Sequence, residues 1–444
     1  MRIVTRTLIF VWCLFAGVAF ADDITPNAAV RNGVIIRAEA STDSDRLGRL
    51  MPGETLTFVA DQSGWWEVRL ANGRTGFVSK RWTARVAAPE PVQPTDDGPG
   101  LSASAEMLTH FVNVGQGGGA ILEFPCGVAV IDTGGQFGSQ VTRGHFMFRD
   151  YLTRFMAAHP QFSNRIDVVF TTHAHADHLN GLPTMFNAEG ELRYEIRNVV
   201  DNAISAASGS AAKQTDFRDA VLASGGGYSG ISINSSFEDA GVTNAVIDPI
   251  ECEGVNPEFT LYWGSWESAD IQALGGRGTA HNNPNNHSLV IRVDFGAASF
   301  LFTGDLEQTA IEDMLLLHQG NLAAFDVDVY VVGHHGSPNA TTLPFLEAMT
   351  PEIAIVSAGD PAEEGTSTAR DHGHPRISAL DMMQQGPGAV SRMRASAVTA
   401  PAFAAEDRDA VDYVVDHAIY STGWEGDLVL RATTSGEFEL MSSN

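Results

Sequence analysis

From Val30 to Val86 apolar and polar positions alternate in short runs broken by turn residues: Gly33-Val34-Ile35-Ile36-Arg37, Gly48-Arg49-Leu50, Thr55-Leu56-Thr57-Phe58-Val59, Trp65-Trp66-Glu67-Val68-Arg69 and Thr75-Gly76-Phe77-Val78. A period of two predicts half-buried strands, and so many in so short a span predict a small all-β barrel. The same period sets the adjacent Trp65 and Trp66 on opposite faces, so one packs into the core and the other is free to line a groove. The pattern then stops: residues 87–106 carry Pro89, Pro91, Pro94 and Pro99 among acidic residues and predict a linker.

Beyond Met107 the apolar runs are longer and alternate with helical patterns. Leu108 to Val114 and Ala120 to Phe124 flank a glycine-rich turn, and Val128 to Ile131, Asp167 to Thr171, Ser288 to Phe295, Ser299 to Phe302, Val327 to Val332 and Glu352 to Ser357 read as further strands. Helices are expected over Glu307 to Leu317 and around Leu343 to Met349. Residues 203–230, rich in Ala, Ser and Gly, read as a surface excursion shaping substrate entry, while Trp263 and Trp266 belong to core or to a pocket wall.

Ligand-type residues recur where these strands end. The most concentrated set is His173, His175, Asp177 and His178, directly after the buried strand that ends at Thr171. Imidazole nitrogens and carboxylate oxygens suit zinc and similar first-row ions, and a rigid strand end makes them converge on one point. Asp132 closes another strand, Asp305 follows Phe302-Thr303-Gly304, and His334-His335 follow Val332-Gly333.

The spacing His-x-His-x-Asp-His resembles the second motif of the metallo-β-lactamase superfamily, and the later motifs follow in that family's order. The resemblance implies an α/β fold, the four-layer αββα sandwich, over residues 107–444. It implies two zinc ions, with manganese the alternative, sharing a bridging aspartate. His173, His175 and His287 are assigned to one ion, Asp177, His178 and His334 to the other, and Asp305 to the bridge. His281 and Asn286 rival His287, and His335 rivals His334. Asp132 is expected to orient the ligands from behind. Asp177 is expected also to orient the attacking water, and His374 to donate a proton or hold a substrate oxygen unless it is only a structural loop residue.

Phe111 to Gly117, Ile131 to Gly134, Asn286 to Val290, Phe302 to Asp305, His334 to Ser337, Ser357 to Gly359 and Gly373-His374-Pro375 together look like the ComEC-like branch, the soluble hydrolase domain of bacterial DNA-uptake proteins and its free-standing relatives. Members of that branch commonly carry aspartate where this chain has His175. Residues 22–86 resemble the bacterial SH3 domain through Met51 to Glu54, Ser63 to Val68 and Asn72 to Val78, which implies a binding module for cell-wall peptide or other protein segments, with no chemistry of its own.

Composition refines the picture. A length of 444 residues calls for more than one folded unit. Arg2 and Arg6 precede the apolar run Leu8 to Phe20, and Ala19-Phe20-Ala21 supplies small residues at a cleavage position; residues 1–21 are therefore expected to be a secretory signal peptide, an uncleaved anchor being the alternative, and the protein to be periplasmic or secreted. No later apolar run is long enough to span a bilayer. Losing Arg2 and Arg6 takes the formal charge from −27 to −29, which disfavours long nucleic acid as a partner. Cys126 and Cys252 then remain, either as one disulfide or as two buried thiols.

These features lead to an exported metal-dependent hydrolase that opens small or short phosphodiester or related ester bonds by metal-bound hydroxide, tethered at the wall by its SH3-like module. A β-lactam, lactone or thioester hydrolase is the alternative enzyme, and a wall-binding protein with a relic catalytic domain the non-enzymatic alternative.

Overall fold

The computed structural model describes residues 23–27, 30, 33–42, 44–51, 54–70, 74–86, 105–135, 141–234, 240–404 and 409–441. The leader expected over 1–21 and nearly all of the expected linker lie outside the described residues. The chain divides into two compact units, residues 1–96 and 97–444.

In the first unit the alternating runs pair into one seven-stranded antiparallel sheet, in the order Arg46–Leu50, Val34–Arg37, Thr75–Ser79, Trp65–Arg69, Leu56–Gln62, Asp23–Pro26, Thr83–Val86. Its core is Ile24, Val34, Ile36, Leu50, Val68 and Val78, each nearly inaccessible. Trp66 packs against this core, edge-on to Phe58, with the Lys80 ammonium 4.3 Å above its ring. The strand Asp23–Pro26, absent from the expected set, pairs with both Leu56–Gln62 and Thr83–Val86.

The second unit is built on two sheets. One holds Gly227–Gly230, Asn198–Asp201, Val168–Phe170, Val128–Thr133, Gly119–Glu123, Glu106–Phe111, Leu428–Thr433 and Phe438–Met441, in that order. The other holds Pro257–Trp263, Val290–Phe295, Ala298–Phe302, Val329–Val331, Ile353–Val356 and Ile419–Ser421. Strand alternation sorts the side chains. Ala129, Ile131, Val168 and Phe170 join the core shared with Phe259, Ile291 and Phe300 of the second sheet. Val128, Val130 and Val169 point the other way, onto Phe148, Leu152, Phe217 and Val221 of two covering helices. Helices Gln308–Leu317, Leu343–Met349 and Ile377–Gln385 cover the far side of the second sheet, completing four layers, αββα.

Residues 203–230 depart from the expected surface excursion. They contain the covering helix Ser210–Ala223 and the edge strand Gly227–Gly230, with Phe217 and Val221 buried. Trp263 and Trp266 are core residues, and both indole N–H groups donate to the Asn286 carbonyl. Cys126 and Cys252 form a disulfide. Among the described residues no helix is long and apolar enough to cross a membrane.

In the first sheet, Val128–Thr133, Val168–Phe170 and Asn198–Asp201 run parallel; in the second, Ala298–Phe302, Val329–Val331 and Ile353–Val356 do. Their carboxyl ends bring Asp132, His173, Asp305, His335 and Ser357 to one edge of the sandwich, which is where open α/β sheets place ligands.

Candidate metal centre

Two groups of ligand-type side chains meet at this edge and share a residue. Asp177, His178, Asp305 and His335 offer atoms within 4.8 Å of one another, and so do His173, His175 and Asp305. The strand ends explain the convergence. Gly304 has φ +51° and lies so close to Ser288 and Thr172 that a Cβ would sit 2.9 Å from Ser288 and 3.0 Å from Thr172; its absence lets Asp305 reach between the sheets. The Asp305 amide then donates to Ser288 Oγ at 3.0 Å. Gly117 serves from the other side, since a Cβ there would lie 2.2 Å from the Asp177 carbonyl oxygen.

Protons on the histidines can be placed from their partners. His335 Nδ1 lies 2.7 Å from the Ser357 carbonyl oxygen, which only accepts, so Nδ1 carries a proton. His178 Nδ1 lies 2.7 Å from Asp132 Oδ2, a carboxylate that also accepts from the Thr172 amide and hydroxyl. Neutral rings so anchored leave both Nε2 atoms as bare lone pairs. Those two atoms face each other at 3.3 Å, and Asp305 Oδ1 lies 3.1 Å from one and 3.4 Å from the other. Asp177 Oδ2 adds another oxygen 3.3 Å from His335 Nε2. His173 Nε2 and Asp305 Oδ1 are buried without a hydrogen-bond partner. Electron-pair donors packed this closely are held together by added positive charge, and the donor set of imidazoles and carboxylates fits a first-row divalent cation.

Without a cation, protons must do the same work. Burial opposes a charged ring at both His178 and His335, yet Asp305 and Asp132 hold His178 well above the ordinary range, and Asp305 with Asp177 pushes His335 up to about 10. His173 goes the opposite way: burial and the neighbouring His178 hold it well below the ordinary value. Both carboxylates are buried, which disfavours their charge, but the facing histidines keep Asp177 and Asp305 ionised far below the usual range.

Of the residues expected at the site, the structure brings together His173, His175, Asp177, His178 and Asp305, with Asp132 bonded behind His178. It places His335, not His334, in the ligand group. His334 Nε2 is 3.9 Å from Asp305, and its Nδ1 faces Asn339 Oδ1 at 3.3 Å and Glu307 at 3.7 Å, so it forms part of the lip. His287 is in neither group, because its Nδ1 accepts from the Trp266 amide and its Nε2 lies 2.5 Å from the His281 carbonyl oxygen. The rival Asn286 donates from its amide to the Ala280 carbonyl. His374 sits beside the cluster, its ring 5.4 Å from that of His334. Gln116 Nε2 lies 3.1 Å from its Nδ1, and burial with the nearby His334 and His335 holds the ring neutral.

A model of the metallo-beta-lactamase superfamily matches residues 125–360, and one of the bacterial SH3 domain matches residues 32–84. The chain is 34% identical over 114 residues to "Competence protein ComA" of Neisseria gonorrhoeae, covering 24% of this chain and 16% of that one. It is 36% identical over 101 residues to "ComE operon protein 3" of Bacillus subtilis, covering 23% and 12%. The chain thus spans well under a quarter of the length of these curated relatives. Among solved structures it is similar to human tRNase Z, short form (12% identity, 55% of this chain and 90% of that one, TM-score 0.31), and to a diphosphatase of the PhnP family (11%, 56% and 85%, TM-score 0.29).

Proposed function

We propose that this chain, which belongs to the metallo-beta-lactamase superfamily, is a metal-dependent hydrolase of small or short phosphodiesters. One observation carries the reading: two ligand groups share Asp305, and His173 Nε2 and Asp305 Oδ1 are buried there without a hydrogen-bond partner. His173, His175 and Asp305 would hold one cation, and Asp177, His178, His335 and Asp305 the other. A pair of such ions, zinc or manganese, would lower the pKa of bound water to ~7 and polarise the bond under attack.

The chain's own groups prepare that step. Asp132 fixes the His178 tautomer and the Ser357 carbonyl fixes that of His335, so both rings present Nε2 inward. Gln116 donating to His374 Nδ1 leaves the His374 proton on Nε2, where a neutral imidazole can donate to a substrate oxygen. The phosphodiester choice follows the likeness to competence proteins, and the net charge of −27 favours short substrates over long polymers. We further propose export, with the SH3-like unit binding cell-wall peptide.

The test is a panel of bis-p-nitrophenyl phosphate, cyclic dinucleotides, short single strands, a cephalosporin and a lactone, each assayed with zinc and with manganese. Turnover of the phosphodiesters is expected. Cleavage confined to the cephalosporin or lactone would overturn the substrate class, and no cleavage with both ions bound would mean a relic site.

A further inference from the structure

Helix Ser210–Ala223 carries a lysine in an unusual setting. Lys213 is half-buried, and its ammonium donates to Asn180 Oδ1. Three effects work against a cation there. Burial disfavours its charge and lowers its pKa. Lys213 lies in the first turn of its helix, where the backbone dipole is positive, and that turn has no acidic residue. Among the described residues no carboxylate pairs with it, although the chain carries 54 Asp and Glu against 27 Lys and Arg. Its anchor is rigid. Asn180 is 1% exposed, its amide side chain donates to the Gly135 carbonyl at 3.0 Å, and its backbone N–H to the Ala176 carbonyl at 2.8 Å.

That anchor continues the helical turn bearing two of the candidate ligands. Asn180 has helical φ and ψ and follows Asp177 by three residues, so the two side chains rise from one face of the turn, with Cβ atoms about 5–6 Å apart. An ammonium pinned to Asn180 is therefore held about one helical turn along from Asp177. A fixed, unpaired cation at that place supplies what an anion at the metals lacks, a charge-assisted donor from the protein itself.

We propose that Lys213 binds an anionic oxygen of the substrate beside the metal centre, a phosphoryl oxygen in the case of a phosphodiester. The proposal rests on the hydrolase reading for its substrate but not for the existence of the anion site. It makes Lys213 a determinant of preference for anionic over neutral esters.

The test compares the wild-type, metal-loaded full chain with Lys213→Gln and Lys213→Arg. The ratio of kcat/KM for bis-p-nitrophenyl phosphate to that for the neutral p-nitrophenyl acetate should fall about tenfold in Lys213→Gln, the loss carried by KM, and be largely kept in Lys213→Arg. Inorganic phosphate, followed by calorimetry, should bind about tenfold more weakly to Lys213→Gln. An unchanged ratio together with unchanged phosphate affinity overturns the proposal, as does equal loss on both esters or wild-type protein that binds no phosphate. Lys213-dependent phosphate binding by a protein that hydrolyses neither ester supports the anion site and removes the hydrolase reading instead.

Discussion

His178 Nε2 and His335 Nε2 face each other at 3.3 Å while the Nδ1 atoms of both rings are engaged by acceptors outside the cluster, the Asp132 carboxylate and the Ser357 carbonyl. Two lone pairs so placed define where a cation belongs. They also distinguish adjacent histidines, since His334 Nδ1 faces Asn339 and Glu307 while its Nε2 stays 3.9 Å from Asp305.

The corresponding prediction concerns metal content. His335→Ala should lower it from about two ions per chain to about one after dialysis, because the Asp177–His178–Asp305 group loses a nitrogen donor. His334→Ala should keep both ions. Elemental analysis of the two variants decides the matter, and the reverse pattern would return the ligand role to His334.

Why the sequence left that choice open is a matter of backbone geometry. Strand alternation tells which of two neighbours points inward, but His334 and His335 lie past the strand end, at φ 47° and 55° on a tight turn where the period of two no longer holds. The His173 to His178 set was legible because one short segment carries it. The surroundings of His287, which lies in neither ligand group, are not legible locally because they are assembled from distant pieces: Trp266 and His281 occupy its two nitrogens. The sandwich was legible in the strong strand runs. Strand Leu428–Thr433, which pairs with Glu106–Phe111 across most of the chain, was not, since long-range pairing leaves no local signal. Helix Ser210–Ala223 is not legible in the sequence because its Ala- and Ser-rich run has little amphipathic period.

The disulfide leads to a second prediction. Cys126 precedes strand Val128–Thr133 at the end opposite Asp132, and six residues of strand put it about 20 Å from the metal centre. Cys252 precedes strand Pro257–Trp263 of the other sheet, so the bond ties the two sheets together. Reduction, or replacement of both cysteines by serine, should cost roughly 2–5 kcal/mol of stability by freeing a long loop in the unfolded chain. Metal content at 25 °C should not change. Urea unfolding with and without reductant measures the first, and elemental analysis of the reduced protein the second; loss of metal on reduction would show that the bond shapes the site.

Asp248 gives a pH dependence with a definite sign. Burial, then the charges of Glu258 and Glu251, push its carboxyl up to about 7, and its Oδ1 is buried without a hydrogen-bond partner. In the unfolded chain the same group titrates near 3.8. The folded state thus holds the proton more tightly. Below the unfolded value the aspartic acid is neutral in both states and costs nothing; as pH rises towards 7 the unfolded chain ionises first, and stability falls until the folded form ionises too. Asp248→Asn, neutral throughout, should match wild type near pH 4 and exceed it at pH 8. The gain should be about 1–2 kcal/mol once solvent screening of a half-exposed carboxyl is allowed for. Urea midpoints at the two pH values provide the measurement, and an asparagine variant less stable than wild type at pH 8 would mean that the Asp248 charge is compensated in the fold.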